Sequence, residues 1–432
     1  MAEALGADYP HFAPVIYTTL GLGHAHAALG RPADARRLYA AARAGYAALD
    51  DAFMVDYSLW VELLLVVLPY ATDATAERAA LGAEAGHAWE GARGRMTNAT
   101  HAAPADLLLA LLGGRWVEAQ RLAEASRANP AVNYAQGATV ALATLARWAG
   151  EADRARDLLH ALHPAGPDTE PGDCYFPHGI AALALAGELA LDADDPATAE
   201  RWLAAHGRWL DWSGAVLWRA DHLLLRARRA RVSGDPSTAR MHAAAALAAA
   251  SVPRQPLVLL ATRRLLGELA TAGAQHQDAA AHLAAALALA EACAAPYERA
   301  LTLLSLAELR VATADLAVAA ATLAEARAIL TSLAAAPALT RAEALAARLA
   351  SAPAPPPAAR PFGLTAREAE VLRLVAEGLT DAQIAARLSI GRSTVNTHLK
   401  AVYGKLGVNT RAGATRVALD HGLRSPAPPI IS

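Results

Sequence analysis

The chain has 432 residues, enough for two or three domains. It is 55% hydrophobic but only 5% aromatic, so its apolar share is mostly Ala and Leu, which favours helices. Its 39 basic residues nearly cancel 41 acidic ones, net −2, which excludes a globally basic or acidic protein but not a local basic patch.

The only two lysines are Lys400 and Lys405, and residues 1–399 hold none. That excludes a Lys-dependent phosphate loop, a kinase-type Lys, a Schiff-base Lys for pyridoxal phosphate and the Lys of a phospho-receiver domain. Cys174 and Cys293 lie far apart and outside any CxxC or zinc spacing, so a reduced, cytoplasmic protein is expected, with no metal and no cofactor. No Gly-x-Ser-x-Gly and no supported carboxylate pair occurs, so no enzyme is expected either.

The N-terminus lacks the basic-then-apolar order of a signal peptide. The most apolar run, Leu59 to Leu68, is interrupted by Glu62, stopped by Pro69 and too short for a bilayer; a buried helix and no membrane contact are expected. From Gly30 onward a repeat emerges. Gly30-Arg-Pro-Ala-Asp-Ala35, Asp194-Asp-Pro-Ala-Thr-Ala199 and Gly234-Asp-Pro-Ser-Thr-Ala239 each separate two Ala/Leu-rich stretches. Looser copies begin at Ala71, Gly114, Gly150, Gly273 and Ala314, at spacings of 36 to 44 residues. A period near forty marks a helix-pair solenoid. Gly or Asp suits the left-handed turn that ends a helix. Pro32, Pro196 and Pro236 suit the first turn of the next. Ala35, Ala155, Ala199 and Ala239 allow close helix approach. The pattern resembles the tetratricopeptide-like solenoids, at a longer period than the common one.

Trp202, Trp209 and Trp212 are spaced to share one helix face and are expected in the core. Residues 165–178 read as a surface connection. The basic-rich run from Asp211 to Arg231 reads as a solvated helix face. Next, residues 351–361, Ser-Ala-Pro-Ala-Pro-Pro-Pro-Ala-Ala-Arg-Pro, read as a semi-rigid spacer. It separates a repeat region, 1–350, from a domain at 362–424 and a tail at 425–432. The segment 361–424 carries nine basic and five acidic residues, net +4, against −6 for the remainder.

In that segment Thr365 and Glu368 form a T-x-x-E capping box, and Thr380 and Gln383 repeat the pattern before a short second helix. After a turn from Ser389 to Arg392, a third helix runs from about Ser393 to Leu406. Two short helices, a tight turn and a third helix make a helix-turn-helix. On the third helix Val395, Leu399, Val402 and Leu406 fall within about 60° and form the buried stripe. Ser393, Thr397, Lys400 and Gly404 lie opposite, with Asn396 at the shoulder: hydrogen-bonding groups without bulk, as a major-groove reader needs. Residues 380–416 hold six basic groups and one acid, Asp381, a surface suited to phosphates.

Leu364-Thr-x-Arg-Glu-x-Glu-Val-Leu372, Ile384-Ala-x-x-Leu388, Thr394-Val-x-x-His398 and Lys405-Leu-Gly-Val408, then Arg411, resemble the LuxR-type helix-turn-helix of bacterial transcription regulators. The resemblance implies a small four-helix domain without a wing, which after the solenoid read from the repeats makes an all-α chain. Its third helix would enter the major groove of double-stranded DNA and its fourth would support a homodimer on DNA. It implies base and backbone contacts at Asn396, Thr397 and Lys400, with Lys405 and Arg411 on phosphates; Arg392 and Ser393 at the helix start complete the set. Gly391 stands where the family often has a Ser cap, and Asn396 where it often has Lys. RNA polymerase is a further candidate partner, and the repeats would sense an effector or a protein. A protein-interaction scaffold with a weak or vestigial DNA-binding domain is the alternative. The order of domains also resembles the C-terminal half of the large ATP-binding, MalT-like LuxR regulators. Their ATPase domain is missing, so the chain would sense without ATP or be a truncated product.

A small apolar strip on the fourth helix, Ala414, Val417 and Ala418, is expected to be left open for that dimer contact.

Overall fold

The computed structural model describes residues 14–93, 104–128, 132–172, 174–351 and 361–421. They form α-helices, with short π and 3-10 turns and, among the described residues, no strand. The chain divides into two compact units at residues 350/351. Of the spacer at 351–361, residues 352–360 lie outside the described residues, as does the tail at 425–432.

The first unit begins with α1 (Pro14–Ala28), α2 (Pro32–Ala48) and α3 (Ala52–Glu62), which continues through a π turn, Leu63–Val67, into Leu68–Tyr70. Next come α4 (Thr75–Arg93), α5 (Pro104–Leu112) and α6 (Trp116–Ser126). Five hairpins follow: α7 (Val132–Ala149) with α8 (Ala152–Leu162), α9 (Phe176–Asp192) with α10 (Pro196–Ser213), α11 (Arg219–Val232) with α12 (Pro236–Ser251), α13 (Pro256–Ala272) with α14 (His276–Ala292), and α15 (Pro296–Ala312) with α16 (Leu316–Leu333). A last helix, α17 (Ala336–Ser351), ends the unit. Within each hairpin the helices pack on each other, and α7, α9, α11, α13 and α15 also pack in a row, each on the next.

The repeat punctuation works as its chemistry dictates. Gly30, Gly114, Gly150, Asp194 and Gly234 take positive φ, and Pro32, Pro196 and Pro236 each open the next helix. Asp195 and Asp235 cap their helices by accepting from the Thr198 and Thr238 N–H groups at 2.9 and 3.0 Å. The expected small residues Ala35, Ala155, Ala199 and Ala239 are fully buried, as are Ala119, Ala279 and Ala319 one or more repeats along. Two expected turns differ. Ala71 turns without positive φ, and at 273 the left-handed residue is Ala274 (φ 55°), not Gly273. Ala294, Ala314 and Ala334 share that conformation, so the later turns recur every twenty residues. Alanine carries no turn signal, which is why only alternate turns stood out.

Three local expectations are corrected. Trp209 is buried and its Nε1–H donates to the Thr169 carbonyl at 3.1 Å, but Trp212 is 68% exposed and Trp202 half-buried. The 165–178 segment is more than a surface connection: Thr169 is buried, and Arg208 donates to the Pro167 carbonyl at 2.7 Å. The arginines of α11 are not a free solvated face. Arg219, Arg228, Arg229 and Arg231 pair with Asp211, Glu188, Glu200 and Glu268.

Ala52–Tyr70 and Leu316–Leu333 are long and apolar enough to cross a membrane by length and composition. Both belong to the packed unit. The first buries Asp56, which accepts from the Tyr134 hydroxyl at 3.1 Å, and Glu62, which pairs with Arg43 at 2.8 Å. Leu323, Ala326 and Leu330 of the second sit in the main core.

The close helix contacts should not tolerate bulk: Ala239→Leu is expected to cost about 1–3 kcal/mol in denaturant unfolding, as overpacked sites do. Ala314→Gly should move the other way by about 0.5–1 kcal/mol, because glycine removes the left-handed penalty at an exposed turn.

Candidate nucleic-acid interface

The second unit holds four helices: α18 (Ala366–Ala376), α19 (Asp381–Leu388), α20 (Arg392–Leu406) and α21 (Arg411–Asp420). Both capping boxes form. The Thr365 N–H donates to Glu368 at 2.6 Å and the Glu368 N–H to Thr365 Oγ1 at 3.3 Å. The Thr380 N–H donates to Gln383 at 2.7 Å and the Gln383 N–H returns to Thr380 at 3.4 Å. Ser389, at φ 53°, closes α19 and turns the chain into α20.

The stripe on α20 is buried as its angles require: Val395, Leu399 and Val402 are enclosed, and Leu406 is half-buried. Val395 and Leu399 pack with Val371, Leu374, Val375 and Ile384 of the first two helices. Val402 packs with Leu364, Leu372, Ala414 and Ala418. The opposite face stays open. Arg392, Ser393, Asn396, Thr397 and Lys400 are all exposed, and the Thr397 hydroxyl donates to the Ser393 carbonyl at 3.0 Å. His398, at the flank, is half-buried. Gly391 caps α20 without a side-chain bond, so the cap supplies no side-chain acceptor to the first amides of the helix.

Lys405 and Arg411 are placed differently from the other five residues of the expected set. Lys405 Nζ donates to Glu368 at 2.6 Å, tying the end of α20 to the start of α18. Arg411 donates to Asp381 at 2.6 Å and to the Leu379 carbonyl, joining the starts of α21 and α19. Both cations therefore lock the domain. These pairings depend on tertiary contact between residues about thirty apart, which helix periodicity cannot reveal. The fourth helix also departs from expectation. Ala414 and Ala418 are fully buried within the domain, leaving Val417, half-buried, and Leu419, 45% exposed, as its apolar surface.

Residues 363–418 match the family described as bacterial regulatory proteins, luxR family. Residues 363–418 are a LuxR-family helix-turn-helix domain. The LuxR-type domain is 59% identical over 51 residues to the "Probable transcriptional regulatory protein SgaR" of Hyphomicrobium methylovorum, covering 12% of this chain and 24% of that one. It is 45% identical over 62 residues to the "Transcriptional regulatory protein MctR" of Rhizobium johnstonii, covering 14% and 29%. The chain thus matches about a quarter to a third of the length of these relatives. A solved structure titled "Crystal Structure of Rap Protein Complexed with Competence and Sporulation Factor" superimposes at TM-score 0.48 and 10% identity, over 78% of this chain and 99% of that one.

The Lys405 contact, then the Thr365 N–H, hold the Glu368 carboxyl down to about 2. A carboxyl depressed on folding stabilises above its unfolded value, and the benefit is lost as pH falls towards the folded one. The LuxR-type domain should therefore lose stability between about pH 4.5 and pH 2, and Glu368→Gln should flatten that part of the profile. Thermal melts across the range provide the check.

Proposed function

We propose that the chain is a cytoplasmic bacterial transcription regulator and not an enzyme: α20 reads the major groove of double-stranded DNA, and the repeat unit senses a ligand or a protein partner. The observation that carries the DNA reading is the division of α20. One side is sealed in the domain, and the other presents small or polar side chains and a lysine to solvent. In this reading Asn396, Thr397 and Lys400 reach base edges or backbone, and Arg392 and Ser393 meet phosphate beside the open helix start. Lys405 and Arg411 come second, since a phosphate contact there must displace an existing ion pair. Dimerisation on DNA through α21 would use Val417 and Leu419, and two-fold symmetry would set half-sites about one helical turn, ~10 bp, apart.

Lys400→Ala should weaken binding to DNA selected from a random pool by the wild-type chain by about tenfold or more, a loss of roughly 1–3 kcal/mol. Circular dichroism should be unchanged, because the side chain faces away from Val395 and Leu399. Gel-shift titration decides the matter, and wild-type affinity in the folded variant would sink the assignment. Among the described residues of 380–416, Arg387, Arg392, Lys400 and Arg416 are not held by a close ion pair. The slope of log K against log salt should then be about −2 to −4 per subunit. A slope near zero would contradict electrostatic docking.

A further inference from the structure

The row formed by α7, α9, α11, α13 and α15 carries a seam of opposite charges. Arg147 pairs with Glu188 at 2.5 Å and Asp192 at 2.6 Å, and Arg228 pairs with the other oxygen of Glu188 at 2.5 Å. Arg264 pairs with Glu298 at 2.5 Å; Arg231 and Arg341 share Glu268, and Arg341 also holds Glu308 at 2.7 Å. Every guanidinium of this seam is met by a carboxylate. Asp221, in the first turn of α11, is a carboxylate outside these pairings. Among the described residues no cation lies within ion-pair distance of its carboxylate, and Arg228, two turns along the same helix, is committed to Glu188.

Asp221 lines a cavity of about 330 Å³ together with Trp148, Trp218, Leu185, Leu224 and His206. His206 is 1% exposed, and neither ring nitrogen has a hydrogen-bond partner. Its ring stacks on His222 at 5.3 Å. Burial, then the neighbouring His222, pushes it down to about 3, so it is neutral and adds no positive charge to the cavity. Trp218 reaches the wall from a left-handed backbone, φ 70°, a conformation that a bulky residue seldom takes. Around the cavity the guanidiniums of Arg147, Arg228 and Arg264 are balanced by the carboxylates of Glu188, Asp192 and Glu298. The uncompensated charge is the carboxylate of Asp221.

We propose that this cavity binds a small organic ammonium ligand, an amine carried on an apolar or aromatic body, with Asp221 as its counter-ion and Trp148 and Trp218 as aromatic walls. A half-buried carboxylate outside any ion pair gains most from a cation that brings its own apolar surface into the pocket. Indole rings favour the same cation. An anion would have to displace a carboxylate from an arginine. A bare metal ion would find one free carboxylate, and the described residues hold no group of three His, Cys, Asp or Glu placed to ligate one. The ligand class deepens the sensing role proposed above. Binding is read without DNA, so its failure is distinguishable from failure of the DNA reading.

The test uses the full chain with phenethylamine, phenethyl alcohol and phenylacetate as probes, followed by isothermal calorimetry and thermal melting. The amine should titrate a single site and raise the melting temperature, while the alcohol and the acid do neither. Asp221→Asn should weaken the amine at least tenfold. A second arm needs no variant. Burial raises Asp221 to about 6, against the opposing pull of its own backbone N–H and of Arg228 and with the added push of Glu188. His206 and His222 lie near 3 and 4, and Glu188 below its usual range, so Asp221 is the facing group that protonates on mild acidification. Amine affinity should therefore fall roughly tenfold between about pH 7.5 and pH 5. Equal binding of alcohol and amine, unchanged affinity in the folded Asp221→Asn chain, a flat pH profile, or no response to millimolar amine would each overturn the proposal.

Discussion

In the repeat unit, paired helices meet at alanines. Ala119, Ala155, Ala199, Ala239, Ala279 and Ala319 are fully enclosed, and a side chain of one methyl group lets the two backbones come close. That closeness sets the pitch of the array. It places α7, α9, α11, α13 and α15 side by side, so that an arginine on one helix finds a carboxylate on the next. The pairs Arg147–Glu188, Arg228–Glu188 and Arg264–Glu298 all bridge helices or their register neighbours in this way. Their value lies less in net stability than in alignment, since a half-buried ion pair barely offsets its own desolvation but penalises a slipped register.

The LuxR-type domain obeys a related economy of contact with a different solution. It is too small for a deep core, so its four helices are fixed at their ends. Thr365 with Glu368, and Thr380 with Gln383, settle where α18 and α19 begin. Lys405 and Arg411 then connect those same starts to α20 and α21. Glu368 thus serves a cap and an interhelical ion pair at once, and the exposed face of α20 is held by groups that lie outside it.

What could be read from the sequence was local. Capping boxes act within four residues, and the Val395, Leu399, Val402 stripe is a property of one helix, so both were legible. The Gly/Asp-x-Pro turns were legible for the same reason. Features that depend on distant partners were not. The spacing of Trp202, Trp209 and Trp212 could not tell that only Trp209 would find a carbonyl, at Thr169, and a place in the core. The charges of α11 looked solvated because their carboxylates lie on other helices. Ala414 and Ala418 looked open because α18, which covers them, stands about forty residues earlier.

The two lysines have a consequence for reagents that react with side-chain amines. Both ε-amino groups of this sequence lie on α20, so acetylation or a succinimidyl ester would mark that helix alone among its side chains. The two targets are chemically unequal. Lys400 is open, whereas Lys405 must first surrender Glu368 before its nitrogen can act as a nucleophile. Acylation of the first would erase a charge from the exposed face of α20. Acylation of the second would cut the tie between α20 and α18 and release the carboxylate that caps α18.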